Sequence, residues 1–312
     1  MVRLLRTALV FLLVSAGLYA VAMFALYHVH LNGHRVLYHT ADYYQGKGGV
    51  SYAKFQEFDR SKRYDVMVIG SSHAYRGYDP RPFAERGIRL FNLGTSAQSP
   101  MNSYYVLENY VDKANCGLVI FDLYENTMGH DGLESTSDLT RNIDSEKAAL
   151  QMCLAAKDPR GINLMTLRWL SCNEPPGPGD GTYRTGGFAE RTDSVRTKAT
   201  FELGLPLELD SAQAGYFRKC IGYCREQGIP IVLVTHYFPN ATDHERHERF
   251  HAWVEKEIAG TGIHYIDLAY AGHVDDHDHF YDHNHLNAAG VKLFNAQLLD
   301  SLEALHLVPQ RE

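Results

Sequence analysis

Beyond residue 63 the hydrophobic positions of this chain fall into short runs, at 65–69, 88–93, 117–123, 229–235 and 263–268. Each is too short for a helix, β-branched in places and closed by polar or small residues, which is the pattern of strands buried on both faces. Between them, apolar positions recur at helical spacing over 99–113, 145–156, 211–227, 243–259 and 288–305. Several of these windows open on Ser or Asp, whose side-chain oxygens cap free N–H groups, and the 211–227 window ends at Gly228, suited to a helix C-cap. Alternation of strand and helix predicts an α/β fold, a three-layer α/β/α sandwich around a mainly parallel five-stranded sheet with right-handed crossovers. Ligands of such sheets bind beyond the carboxyl ends of the strands.

The first residues follow a different pattern. Residues 7–27 carry no charged side chain and are dominated by Leu, Val, Ala and Phe; as a helix they would be roughly 30 Å long, about one bilayer core. Arg3 and Arg6 precede this stretch, whereas only His28, His30 and His34 follow it before Arg35. That asymmetry places the N-terminus in the cytoplasm and the rest of the chain outside, as a single-pass anchor over residues 1–30. A signal peptide cut near Ala20 or Ala22 is the alternative, against which the apolar run exceeds the ~7–15 residues of a signal-peptide core. Residues 31–63, rich in Tyr, Gly and Lys and without periodicity, read as a stalk or lead-in, and 64–312 as the main domain. Within it, 170–209 breaks the rhythm with Pro175, Pro176, Pro178 and several glycines. This is an insertion or lid loop, either substrate-facing or plain surface.

Composition narrows the picture further. At 312 residues and 45% hydrophobic, the chain can bury one substantial α/β core besides the anchor. The excess of 37 acidic over 30 basic residues, with no dense Lys/Arg stripe, argues against a nucleic-acid partner. Cys116, Cys153, Cys172, Cys220 and Cys224 are odd in number and irregular in spacing, so no disulfide framework follows. Buried thiols are expected for most of them; an oxidising compartment would permit a bridge such as Cys153 to Cys172, but the sequence does not choose a pair.

Two segments carry the chemistry. The 65–69 run leads directly into Gly70-Ser71-Ser72-His73, where a turn on glycine would present a hydroxyl as a nucleophile with backbone N–H groups nearby for an oxyanion. Alone, a Gly-Ser-Ser is usually a turn or an N-cap. Near the other end, Tyr281-Asp282-His283-Asn284-His285-Leu286-Asn287 precedes the last helical window. An Asp three residues before a His, in a loop entering a helix, lets the carboxylate fold onto imidazole Nδ1 and leaves Nε2 facing outward as a general base. Ser72, Asp282 and His285 are thus a candidate catalytic triad.

With these blocks the chain resembles the SGNH/GDSL hydrolase superfamily, in order from about residue 65 to 305. The family's Gly-Asp-Ser block is matched by Gly70-Ser71-Ser72, with Ser71 replacing the Asp. Its Asn-x-Gly-x-x-Gly block is matched by Asn92-Leu93-Gly94-Thr95-Ser96-Ala97, with Ala97 replacing the last Gly but keeping a backbone N–H. Its oxyanion Asn falls on Asn126, where Tyr124 replaces a Gly, and its Asp-x-x-His on Asp282 and His285, followed by Asn287 and Gly290. The resemblance implies a flavodoxin-like fold and a serine esterase or acyltransferase, with the N–H groups of Ser72 and Ala97 and the Asn126 amide as oxyanion donors. An anchored, outward-facing member resembles enzymes that add or remove acetyl groups on envelope or exported glycans. An acylated glycan is therefore the first expected substrate, with lipid or small esters open.

Further candidates for substrate contact are His73, beside the nucleophile; Arg76, for an anionic group; and His236, at the end of the 229–235 run. No cofactor is implied. One rival reading is a metal site, because His273, His277, His279, His283 and His285 crowd one segment with Asp275, Asp276, Asp278 and Asp282. Their spacing matches no familiar ligand pattern. The other is an envelope scaffold that kept the fold and lost the chemistry, suggested by Ser71, Ala97 and Tyr124.

Overall fold

A computed structural model of the protein describes residues 1–31, 34–39, 49–172, 182–194 and 203–308. An N-terminal helix, α1 (Val2–Tyr27), stands largely exposed, with only Met23 and Tyr27 buried. It is long and apolar enough to cross a membrane. The segment expected as a lead-in contains a helix, α2 (Gly49–Glu57), with Ser51 and Lys54 buried against the domain.

The domain is built on five strands, β1 (Tyr64–Ile69), β2 (Leu90–Asn92), β3 (Cys116–Asp122), β4 (Ile231–Thr235) and β5 (His264–Asp267). They pair in parallel throughout, in the order β2-β1-β3-β4-β5. All five coincide with the apolar runs, and their pleat divides the core in two. Met67, Ile69, Val119, Phe121 and Leu233 face one cluster; Val66, Val68, Leu118, Ile120, Val232 and Val234 face the other. The first face is covered by α5 (Pro100–Tyr110), α9 (Ser211–Gln227) and α10 (His244–Ile258). The second is covered by α3 (Ser72–Gly77), α4 (Pro80–Glu85) and α11 (Ala288–Ala304). This is the predicted three-layer sandwich.

Helix ends follow the local chemistry. Asp210 caps α9 by accepting from the N–H groups of Ala212 and Gln213, and Gly228 closes it at φ +65°. Asp243 and Asn287 cap α10 and α11 in the same way. Three helices, α6 (Leu133–Asn142), α7 (Glu146–Ala155) and α8 (Arg160–Trp169), pack together outside the sheet and against the first core cluster. Of these only α7 was predicted.

Within the proline-rich insertion, Tyr183–Arg184 pairs antiparallel with Phe188–Ala189. This hairpin docks on the β2 edge, where Gly186 accepts from the Asn92 N–H at 2.9 Å. Residues 173–181 and 195–202 of the insertion lie outside the described residues. All five cysteines are buried free thiols, so the bridge that an oxidising compartment would permit between Cys153 and Cys172 is not formed.

Candidate active site

The carboxyl end of β1 turns at Gly70, whose φ of +146° is a conformation side chains rarely adopt. A Cβ there would lie 2.8 Å from the Asp122 carbonyl, so glycine lets β1 and β3 close on each other just before Ser72. Ser71 caps α3, its Oγ accepting from the His73 N–H at 3.4 Å, and Ser72 becomes the first residue of that helix. The loop after β2 is tied to the same helix. Asn92 donates to the Ala74 carbonyl at 2.7 Å and accepts from the Gly94 N–H at 2.9 Å. Gly94 must lack a side chain, since a Cβ would lie 2.7 Å from that of Ala74.

The segment before α11 crosses to the same edge of the sheet. His285 Nε2 lies 2.7 Å from Ser72 Oγ, and its Nδ1 lies 2.9 and 3.0 Å from the two oxygens of Asp282. Asp282 also accepts from the N–H groups of Asn284 and His285, at 3.0 and 2.8 Å. Burial opposes ionisation of Asp282, but the His285 hydrogen bond and these two N–H groups hold its carboxyl well below the usual carboxylate range. His285 is shifted down from the ordinary 6.5: burial outweighs the pull of Asp282, and Arg76 and His236 push the same way. The imidazole is therefore neutral, with Nδ1–H fixed on the carboxylate and Nε2 free to take a proton.

A cavity of about 510 Å³ opens over this group. Its wall includes Ser72, Arg76, Ala97, Tyr124, Asn284 and Glu134, together with Gly49 and Val50 from α2. Ala97 sits here at φ +46°, the left-handed conformation that favours glycine. Arg76, one helical turn after Ser72, lies 5.1 Å from the ring centres of both Tyr75 and Tyr281, and its buried Nη1 has no hydrogen-bond partner. His73 lines the cavity and stacks between two other imidazoles, His285 at 4.5 Å and His236 at 4.1 Å. Burial and those two neighbours shift it well below its ordinary value, so it too is neutral. His236 does not reach the cavity wall; it is buried behind His73 with Nδ1 3.0 Å from Asp122.

Asn126 is not brought to the wall. Its Oδ1 accepts from Arg246, which can only donate, and this fixes the amide orientation so that Nδ2 donates to the Tyr124 hydroxyl at 2.5 Å. Asn284 donates to the same hydroxyl at 3.2 Å. Tyr124 and Asn284, to neither of which the sequence assigned a part in the site, line the cavity, and Asn126 does not. The replacement of Gly by Tyr124 was the one signal available.

The histidine- and aspartate-rich segment folds as a turn. Asp275 accepts from the N–H groups of His277 and Asp278, and His279 Nδ1 accepts from the Asp275 N–H. Asp276 accepts from the N–H groups of Asn240 and Ala241. Among the described residues no three His, Cys, Asp or Glu side chains converge to hold a metal ion.

No family model and no curated protein matches this chain. Solved structures do match at a distance. A proposed acylhydrolase from Bacteroides fragilis is 11% identical, with a TM-score of 0.46 over 84% of this chain and 98% of the other. A proposed platelet activating factor from Streptococcus pneumonia is 11% identical, with a TM-score of 0.42 over 85% and 94%. The lipase/acylhydrolase from Enterococcus faecalis is 9% identical, with a TM-score of 0.28 over 80% and 100%.

Proposed function

We propose that this chain is a serine esterase or O-acyltransferase of the SGNH/GDSL type, anchored by α1 and facing out of the cytoplasm, acting on acetyl esters of envelope or exported glycans. The observation that carries the reading is the 2.7 Å contact between Ser72 Oγ and His285 Nε2, backed by Asp282 on Nδ1. Ser72 attacks the ester carbonyl while His285 takes its proton, giving a tetrahedral oxyanion. Collapse expels the alcohol oxygen, which receives that proton, and leaves acyl-Ser72. Water or a sugar hydroxyl then attacks the acyl group, again deprotonated by His285, and free Ser72 is restored.

The oxyanion donors in this reading are the backbone N–H groups of Ser72 and Ala97, both on the cavity wall. The third donor is the Tyr124 hydroxyl. Its oxygen already accepts from Asn126 and Asn284, so its own proton is left to point into the cavity. Asn126 acts at one remove, by holding that phenol. Burial raises the Tyr124 pKa from 10.0, which keeps the phenol protonated. Arg76, which lines the cavity and whose buried Nη1 has no hydrogen-bond partner, is the group to hold an anionic part of the substrate.

A serine-directed phosphonate tests the reading. Wild-type protein should be labelled on Ser72 and Ser72→Ala should not; failure to label the wild type would favour the scaffold reading. Hydrolysis of p-nitrophenyl acetate, with and without oligosaccharide acceptors, separates hydrolase from transferase.

A further inference from the structure

Several large apolar side chains outside α1 remain exposed, and four of them lie on two neighbouring helices. On α7 these are Leu150 and Leu154, one turn apart on one face; on α8 they are Ile162 and Trp169, two turns apart on one face. Leu154, Ile162 and Trp169 are 64%, 60% and 62% exposed. Leaving a Leu or Ile in water forgoes about 1.5–3 kcal/mol each, so a cluster of this kind marks a surface that something covers. Lys147 and Lys157, both exposed, flank the α7 pair along the chain.

The position of α1 says what covers it. The two helices touch closely: a Cβ on Gly161 at the start of α8 would lie 2.6 Å from the Cys153 carbonyl on α7. In turn α8 packs on α1, where the Tyr19 hydroxyl donates to Asn163, and Met23 and Tyr27 share a core cluster with Leu164, Met165 and Leu167. Tyr19 precedes the end of α1 by eight residues, about 12 Å along a helix axis. If α1 spans the bilayer, Asn163 lies beside it at the depth of the outer leaflet.

We propose that α7 and α8 are immersed in the outer-leaflet interface, with Leu150, Leu154, Ile162 and Trp169 among the acyl chains and Lys147 and Lys157 at the headgroups. The proposal rests on the reading of α1 as a transmembrane span. It makes the domain a body seated on the membrane at fixed height, rather than one swinging on a tether.

The chain has two tryptophans, which makes the test direct. Trp253 packs on Phe217 and Phe250 in the first core cluster and serves as internal reference. Full-length Trp253→Phe protein, with Trp169 alone, and Trp169→Phe protein, with Trp253 alone, are inserted into nanodiscs whose lipids carry bromine at shallow or deep acyl positions. Trp169 should lose about half its fluorescence or more to shallow bromines and less to deep ones, since interfacial helices sit about 5–10 Å into the boundary. Trp253 should be unaffected. Equal, weak quenching of both tryptophans in protein that resists alkaline extraction would overturn the seating and leave the anchor intact. Release by alkaline extraction would overturn both, leaving the phosphonate test of Ser72 untouched.

Discussion

Lys54 donates from Nζ to the main-chain carbonyl of Gly94, so α2 holds the loop that ends in Ala97. The ammonium is fully buried, 5.0 Å from the Tyr75 ring centre, and burial pushes it from 10.5 down to about 7. Replacing it by Met keeps the stem and removes the donor. Lys54→Met should lower kcat about tenfold or more through a displaced Gly94–Ala97 loop, with less effect on KM. The stability effect has a defined sign. Below pH 7 both folded and unfolded chains carry the proton and the burial penalty is fully present; above 10.5 neither does. Wild-type stability should therefore rise relative to Lys54→Met between those limits, read by urea unfolding across that range.

The triad predicts the acid limb of the pH profile. In the proposed mechanism His285 works as a base only when neutral, and burial, aided by Arg76, shifts it below 6.5. Activity should persist as pH falls through 6.5 and be lost below it, in a plot of kcat/KM against pH. Arg76→Gln removes a cation that opposes the imidazolium, so its acid limb should move upward. An unmoved limb with a raised KM for anionic esters would leave Arg76 with substrate binding alone.

Tyr124 and Asn126 can be separated by single substitutions. Tyr124→Phe removes the proposed oxyanion donor and should slow turnover by about 100- to 1000-fold, the usual cost of one such group. Asn126→Ala leaves the phenol in place and removes only one of its supports, so its loss should be clearly smaller. The reverse order in kcat would return the donor role to Asn126.

Ala97 is held at φ +46°, where an L-residue pays about 1–2 kcal/mol. Ala97→Gly should stabilise the protein by up to about 1 kcal/mol and keep the backbone N–H, hence activity. Ala97→Val should destabilise by at least as much. Thermal unfolding of the two variants against wild type checks both.

The sheet and the longer covering helices α5, α9, α10 and α11 were legible because burial on both faces leaves a compositional mark: 117–123 reads as a strand from Leu118 to Phe121 alone, whereas the six-residue α3 and α4 are too short for a helical period to show. The contact of Ser72 with His285 and of His285 with Asp282 was legible as geometry, because Asp282 and His285 sit three apart and Ser72 follows a strand. What the sequence concealed depends on contacts between distant segments. Lys54 stands in a stretch without periodicity, and nothing local distinguishes it from a solvated lysine. Helices α6 and α8 were missed although both are amphipathic, because their buried faces mix Ser, Thr and Gly with Leu and neither carries a conspicuous apolar run. The orientation of the Asn126 amide is set by Arg246, which lies 120 residues away in the chain.

Gly49 and Val50 form part of the chamber around Ser72, in a stretch that precedes the first strand. Cutting the chain back to the sheet would therefore do more than remove α1. It would strip away one side of the cavity, so that the trimmed domain and the full chain would differ in what they can hold.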